Sequence, residues 1–275
     1  MHNFSSEIIA TLARLRTLEI TYHSKTPHIG SAFSVIDILA VIYSNYVDLD
    51  KLKIKAADRK RVILSKGHAA LGFYAVMEQV GLLQSEKLRQ YCLPNSHLLG
   101  HVTHSKNTFV ELSTGSLGHG LPYGAGMAYG LKKNGLGGQE VIVVISDGEC
   151  NEGTTWESAL IARHNSLNNL KVIIDRNRLQ SIKGTEETLI LESLPEKWKS
   201  FGWLVTEIDG HSHDQISESL AITADKPLCI IANTIKGKGV SFMENNNSWH
   251  YKSPTKEEYD LAKLEIEMRS KLGNK

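Results

Sequence analysis

The chain has 275 residues, 41% of them hydrophobic, which supplies enough apolar side chain for one large core or two modest ones and excludes an intrinsically disordered chain. Its 31 Lys and Arg nearly balance 30 Asp and Glu, so a formal net charge of +1 provides no long-range field to draw nucleic acid or an anionic membrane. Three cysteines, Cys92, Cys150 and Cys229, are odd in number and far apart, which excludes a disulfide framework and a paired-cysteine metal site.

In chain order, the opening stretch MHNFSSEIIATLARLRTLEI places apolar residues at helical spacing and interrupts them with charges. It predicts a helix from Ser5 to Tyr22 rather than the continuous apolar core of a signal peptide; no export signal, no membrane span and a reducing, cytoplasmic location are expected. Helical patterns follow from Val35 to Tyr46 and from His68 to Val80, with a short strand pattern, Arg61 to Leu64, between them. After a polar, glycine-rich stretch a helix is expected from Pro122 to Lys133. Val141 to Ile145 and Val172 to Ile174 are nearly uninterrupted apolar runs of strand length, as suits strands buried on both faces of a parallel sheet. A helix pattern, Thr154 to Ser166, separates them. Weaker strands, Trp203 to Ile208 and Leu228 to Ala232, flank a helix from His213 to Thr223, and a charged helix from Lys256 to Arg269 closes the chain. Strands alternating with helices predict an α/β fold, a doubly wound, mostly parallel sheet with helices on both faces. With no repeat, low-complexity tract or linker, one domain is expected over 1–275, with a helical extension at about 255–270.

In such sheets ligands sit at the carboxyl ends of the strands. The strongest strand runs into Ser146-Asp147-Gly148-Glu149-Cys150-Asn151-Glu152-Gly153, and the next ends in Asp175-Arg176-Asn177-Arg178-Leu179. Both ends carry oxygen ligands. Mg²⁺ takes about six oxygens in near-octahedral array, usually only one or two from carboxylates, and leaves the rest to phosphate and water. Asp147 and the Asn177 amide fit that pattern, while Gly148, lacking Cβ, would let backbone approach a bulky anion with positive φ.

These two segments together resemble the paired diphosphate and metal signature of thiamine-diphosphate enzymes, with Ser146 where that signature has its first glycine. Ser65-Lys66-Gly67-His68-Ala69-Ala70, then Ser113 to Pro122 (STGSLGHGLP), then Ser248-Trp249-His250 are similar to transketolases, especially to their split N-terminal subunits. The resemblance spans roughly Thr26 to Pro254. It implies a bound thiamine diphosphate with Mg²⁺ (or Ca²⁺ or Mn²⁺ in its place) held by Asp147, Asn177 and the Leu179 carbonyl oxygen, with Gly148 against the diphosphate and Gly115 and Leu117 packed close to the cofactor. It further implies that His28 and His250 contact donor hydroxyls and move protons, that His101 recognises the terminal donor hydroxyl, and that His68 lies beside the diphosphate. Imidazole titrates near neutrality and can both give and take a proton, which ketol transfer requires.

Two further positions depart from the family pattern. Pro27 stands where a glycine normally precedes His28, with its φ fixed and Thr26 restricted, and Tyr251 stands where a small glycine usually follows the Trp-His pair. Glu152 and Glu157 resemble the acidic pair that transketolases place near the interface between two active sites. Gly126 and Gly130, four apart on a predicted helix, permit close helix packing. The acid that activates the cofactor belongs, in this family, to a pyrimidine-binding domain for which this length leaves no room. The resemblance therefore implies a partner, the C-terminal transketolase subunit, in a heterotetramer of two copies of each, acting on sugars or sugar phosphates.

Other readings stay open on the sequence: a deoxyxylulose-phosphate-synthase-like enzyme, a 2-oxo acid dehydrogenase subunit, or a catalytically silent homologue that binds the cofactor. A dinucleotide site at Gly124-Ala125-Gly126-Met127-Ala128-Tyr129-Gly130 is disfavoured, because that motif requires an apolar strand immediately before its first glycine.

Overall fold

The computed structural model describes residues 4–105 and 109–272; the expected domain limits of 1–275 lie outside them at both ends. The chain order is α1 (Ser6–Ser24), α2 (Ile29–Val41), a π-helical turn (Ile42–Tyr46), α3 (Leu49–Lys53), β1 (Arg61–Leu64), α4 (Ala70–Gln79), α5 (Ser85–Leu88) and α6 (Gly120–Lys133). Then come β2 (Val141–Ser146), α7 (Gly153–His164), β3 (Leu170–Arg176), α8 (Thr185–Thr188), α9 (Leu194–Ser200), β4 (Leu204–Asp209), α10 (His213–Ala221), β5 (Leu228–Asn233) and α11 (Lys256–Leu272).

All five expected strands form one parallel sheet in the order β1-β2-β3-β5-β4. The apolar runs are continuous because the sheet is covered twice. Ile142, Val144, Ile173 and Ile230 point into a core shared with α1, α2, α4 and α10, while Val143, Ile145, Val172, Ile174 and Ile231 point into a second core under α6, α7 and α9.

Helix α2 begins at Ile29, not at Val35. Gly30, Ser31 and Ser34 are small or polar and break the apolar period, yet every residue of α2 is buried. The 18-residue stretch Ile29–Tyr46 is apolar enough by composition to cross a bilayer, but 83% of it is buried inside the protein, as a core helix requires. The expected helix at His68 is split into a 3-10 turn, Gly67–Ala69, and α4. The short helices α3, α5, α8 and α9 carry too few turns for a periodic pattern to reveal.

A buried polar node joins elements distant in sequence. Arg14 of α1 pairs with Asp37 of α2 at 2.5 Å, and His211, after β4, donates from Nδ1 to the same carboxylate at 2.6 Å. The His211 Nε2 accepts the Ile235 N–H at 2.8 Å, which leaves the ring proton on Nδ1. Burial alone would raise the Asp37 pKa, but Arg14 and the two histidines, His211 and His213, outweigh it and hold the carboxyl well below its ordinary value. The node fixes the backbone just before Lys236.

Candidate active site

At the end of β2, Ser146 lies opposite Asp175 of β3, so the residues that leave the two strands, Asp147 and Asn177, emerge side by side. Both are buried and line one cavity of about 220 Å³ together with His28, Ser31, His68, His101, Gly115, Leu117, Ser146, Gly148, Leu179, Gln180, Ser181 and His250. Every expected catalytic, cofactor and metal residue is therefore on one surface.

Asp147 is held by backbone: its Oδ1 accepts the Gly148 N–H at 2.8 Å and its Oδ2 accepts the Arg178 N–H at 2.7 Å. Burial pushes its pKa up to about 6 against the pull of Arg176, and Asp175 raises it further. A buried carboxylate facing a polar cavity is a place where a cation lowers the energy of the ionised form. Asn177 Oδ1 accepts the Leu179 N–H at 3.1 Å, and Arg178 takes a left-handed backbone, φ 65°, that turns the chain back through an antiparallel bridge between Leu179 and Gly184. Among the described residues no cluster of three His, Cys, Asp or Glu could hold a metal; the donor set here is one carboxylate, one amide and one carbonyl, the hard oxygens that Mg²⁺ takes beside phosphate. Ser146 Oγ, buried on the cavity wall, faces the Glu149 N–H in a capping box and makes no closer hydrogen bond, so its proton is free to meet an anionic ligand there. The residues present fit Mg²⁺ with a diphosphate.

Gly148 differs from expectation. Its φ is not positive, and a Cβ there would meet Gln180 at an ordinary 3.6 Å, so within this chain neither the backbone nor the packing at this position requires a glycine. Glycines that leave no room for a side chain lie in other connections: Gly118, before α6, has φ 80° and a Cβ would lie 2.6 Å from Thr154 Oγ1, and at Gly67, after β1, it would lie 2.2 Å from the Thr114 carbonyl oxygen.

The four histidines form one cluster. The His28 ring centroid lies 5.6 Å from that of His68, 5.7 Å from His101 and 4.9 Å from His250, and His68 is 5.8 Å from His250. His28 caps α2 with a left-handed backbone, φ 77°, just after Pro27. Burial, helped by His101 and by Lys236 and Lys66, lowers the His28 pKa to about 4. Burial and Lys236 lower that of His250 to about 3, and burial with Lys66 holds His68 well below its ordinary value. These three rings are neutral at pH 7.

Sequence reasoning missed Lys236, 1% exposed, whose ammonium donates to the Gln180 carbonyl oxygen at 2.8 Å, reaches the Leu179 carbonyl oxygen at 3.4 Å and donates to His250 Nδ1 at 3.1 Å. Burial lowers its pKa to about 8, with Lys66 adding repulsion. The signal was available, because Thr234 to Gly239 leaves the carboxyl end of β5, next to β3. Ser31 was missed as well; it stands on the first turn of α2, three residues after His28. Beneath the cavity Lys66 and Asp175, both fully buried, form an ion pair that Ser34 and Thr234 complete with hydroxyl hydrogen bonds. Glu149 is also internal, accepting from Ser65 Oγ at 2.5 Å and from the Gly118 and Ser146 N–H groups.

Glu152 and Glu157 are exposed and are not among the cavity residues. Gly126 and Gly130 face open space, with nothing of this chain within 4 Å of an added Cβ. The Gly124 to Gly130 segment lies inside α6, and Gly124 packs on Val143, so the dinucleotide geometry is absent there.

A parallel sheet whose strand ends present buried oxygen donors beneath a histidine cluster has the architecture of a thiamine-diphosphate-binding domain of the transketolase type. The family model described as "Transketolase, thiamine diphosphate binding domain" matches residues 5–273, and the chain belongs to that family. It is 38% identical over 259 residues to one of the subunits of the apulose-4-phosphate transketolase of Phocaeicola vulgatus, covering 93% of this chain and 92% of that protein. It is 34% identical over 261 residues to the 6-deoxy-6-sulfo-D-fructose transketolase subunit SqwG of Clostridium sp., covering 94% of each. The structure of transketolase from Leishmania mexicana superposes with a TM-score of 0.86 at 24% identity, over 96% of this chain and 41% of that one. The chain thus spans about two-fifths of the Leishmania transketolase chain and nearly all of the relatives named as subunits.

Proposed function

We propose that this chain is the diphosphate-binding subunit of a two-subunit, cytoplasmic transketolase that moves a two-carbon ketol unit from a ketose, often phosphorylated, to an aldose. The observation that carries this reading is the convergence of Asp147, Asn177 and the Leu179 segment with four histidines on one cavity. Relatives of matching length are named as transketolase subunits rather than as whole transketolases, which supports a partner chain; we take it to be the half that carries the pyrimidine-binding domain, in a tetramer of two copies of each chain.

Thiamine diphosphate, when bound, supplies the electron sink for carbon–carbon cleavage beside a ketone. The residues of this chain bind and orient. Asp147, Asn177 and the Leu179 carbonyl oxygen would hold Mg²⁺, while Ser146 Oγ and the Gly148 backbone would face the diphosphate. Lys236 donates to His250 Nδ1, so the proton of that neutral ring sits on Nε2. Nε2–H can then donate to a substrate oxygen. His28, neutral for the reasons above, can accept a hydroxyl proton from a donor ketose as its carbon–carbon bond breaks, and return it to the acceptor carbonyl oxygen as the new hydroxyl forms. His101, the exposed histidine of the cluster, would meet a terminal hydroxyl, and His68 would lie on the diphosphate side.

The test is to assay the chain alone and mixed with a co-encoded C-terminal half, following Mg²⁺-thiamine diphosphate binding and ketol transfer from xylulose 5-phosphate to ribose 5-phosphate. Turnover only in the mixture is expected. Absence of cofactor binding in the mixture would overturn the reading, whereas binding without turnover would retain it and direct the assay to other donors and acceptors.

A further inference from the structure

Tyr251 follows His250 at the end of the 3-10 turn Asn247–His250. Its ring stands edge-on to His250, centroids 4.7 Å apart at 69°, and 6.2 Å from His28. The residue is 64% exposed although its two ring neighbours are half-buried or buried. One side of the phenol ring is thus seated on the histidine pair and the other is open to solvent, outside the cavity whose floor is Asp147 and Asn177.

The backbone beneath it is fixed. The Tyr251 and Lys252 N–H groups both donate to the Ser248 carbonyl oxygen, and the His250 carbonyl oxygen accepts the His28 N–H at 2.8 Å. Lys252 is drawn away from the site onto the Trp249 ring and Glu258. A large exposed aromatic on a tied backbone beside two proton-handling groups is a preset contact surface, ordered before any ligand arrives.

We infer that Tyr251 is a specificity-determining residue that reads the part of the donor ketose beyond the carbons the histidines handle. This rests on the transketolase reading of the same site. The chemistry suits a polyhydroxylated chain: its C–H groups pack on the open ring face and its hydroxyls exchange hydrogen bonds with the phenol oxygen. A three-carbon donor ends before it reaches the ring, and a five-carbon donor extends across it. Tyr251 therefore sets the preference between short and long donors and takes no part in bond breaking.

The test compares kcat/KM for hydroxypyruvate, a three-carbon donor, with that for xylulose 5-phosphate, using wild-type, Tyr251→Ala and Tyr251→Phe chains assembled with the partner subunit. In Tyr251→Ala the ratio of five-carbon to three-carbon kcat/KM is expected to fall about tenfold, mostly through KM for the longer donor, and Tyr251→Phe is expected to keep most of that ratio. The dissociation constant of Mg²⁺-thiamine diphosphate, read by fluorescence quenching, is expected to be the same in all three. A ratio in Tyr251→Ala that falls less than threefold, or that rises, overturns the inference. So does a weakened cofactor affinity, which would make Tyr251 a support for the pocket. A wild-type complex that turns over neither donor would instead defeat the transketolase reading itself.

Discussion

The backbone N–H of His28 donates to the carbonyl oxygen of His250 at 2.8 Å, so the two histidines are joined through the main chain, although one opens α2 and the other follows β5. The bond holds His28 at φ 77°, a left-handed conformation that costs a residue with a Cβ about 1–2 kcal/mol. That cost is kept where the imidazole is needed. In His28→Gly the backbone strain disappears, and the greater freedom of glycine in the unfolded chain costs about 0.5–1 kcal/mol, so the two nearly cancel. The variant is expected to melt within a few degrees of wild type while ketol transfer falls at least about 100-fold, the scale of a lost general acid or base. Thermal melts and turnover on one preparation decide it; a marked loss of stability would show that the ring, not the strain, dominates that position.

Asp147→Asn keeps an acceptor for the Arg178 N–H, loses the one that the Gly148 N–H uses, and removes the carboxylate that faces the cavity. Burial already opposes ionisation of Asp147, so relief from burying that charge offsets the lost hydrogen bond and the cofactor-free variant is expected to stay within about 1.5 kcal/mol of wild type. The difference should come with ligand. Saturating Mg²⁺-thiamine diphosphate at about 100 times its dissociation constant adds about 2.7 kcal/mol to the stability of a protein that binds it. In the assembled enzyme that upward shift in melting temperature should be present for wild type and absent for Asp147→Asn. An equal shift in both would remove Asp147 from the metal site.

Much of this geometry is legible in the sequence, for identifiable reasons. The β2 and β3 runs are plain because both faces of each strand are buried, and Asp147 and Asn177 because they follow those runs directly. The helical pattern of α2 starts six residues late, since Ser31 and Ser34 look like surface residues until the buried Lys66 that their helix covers is known: Lys66 donates to the Ser31 carbonyl oxygen at 3.1 Å and to Ser34 Oγ at 3.3 Å. Lys236 escapes notice because a lysine that opens a Lys-Gly-Lys-Gly run looks solvated, and only the fold shows its ammonium among carbonyl oxygens. The node of Arg14, Asp37 and His211 has no local signature at all, because its members come from three distant segments.

The neutral histidines set a pH dependence. Burial lowers the pKa of His28 to about 4 and that of His250 to about 3, from an ordinary 6.5. Between pH 6.5 and 4 the unfolded chain therefore binds protons that the folded chain refuses, and stability rises with pH across that window. As pH falls below 6.5 the cofactor-free protein loses stability, by at most about 1.4 kcal/mol per pH unit for each such ring and less for His28, which solvent partly reaches. In His250→Gln, whose amide oxygen can still accept from Lys236, the loss between pH 7 and pH 5 is expected to be smaller than in wild type. Urea melts at the two pH values measure it, and an unchanged difference would mean that His250 is protonated in the folded protein.

Lys66 and Asp175 are both fully buried, and the pair crosses from the segment after β1 to the end of β3, beneath the cavity. Attraction to Lys66 keeps the carboxylate ionised: burial would raise the Asp175 pKa, but the ammonium and the Lys66, Ser34 and Thr234 hydrogen bonds lower it below its ordinary value. Lys66→Met would leave an ionised carboxylate buried without a counter-charge, a change that costs about 3–5 kcal/mol. Asp175→Asn in the same chain removes that charge, keeps an oxygen to accept from one of the Ser34 and Thr234 hydroxyls, and offers an amide N–H that the other hydroxyl can accept. The double variant should therefore be more stable than Lys66→Met alone, by about 1–3 kcal/mol, the usual size of coupling between contacting groups. Denaturant melts of the two single variants and the double complete the cycle. Strict additivity would show that the pair does not act as a unit, and that the floor of the site is held by packing alone.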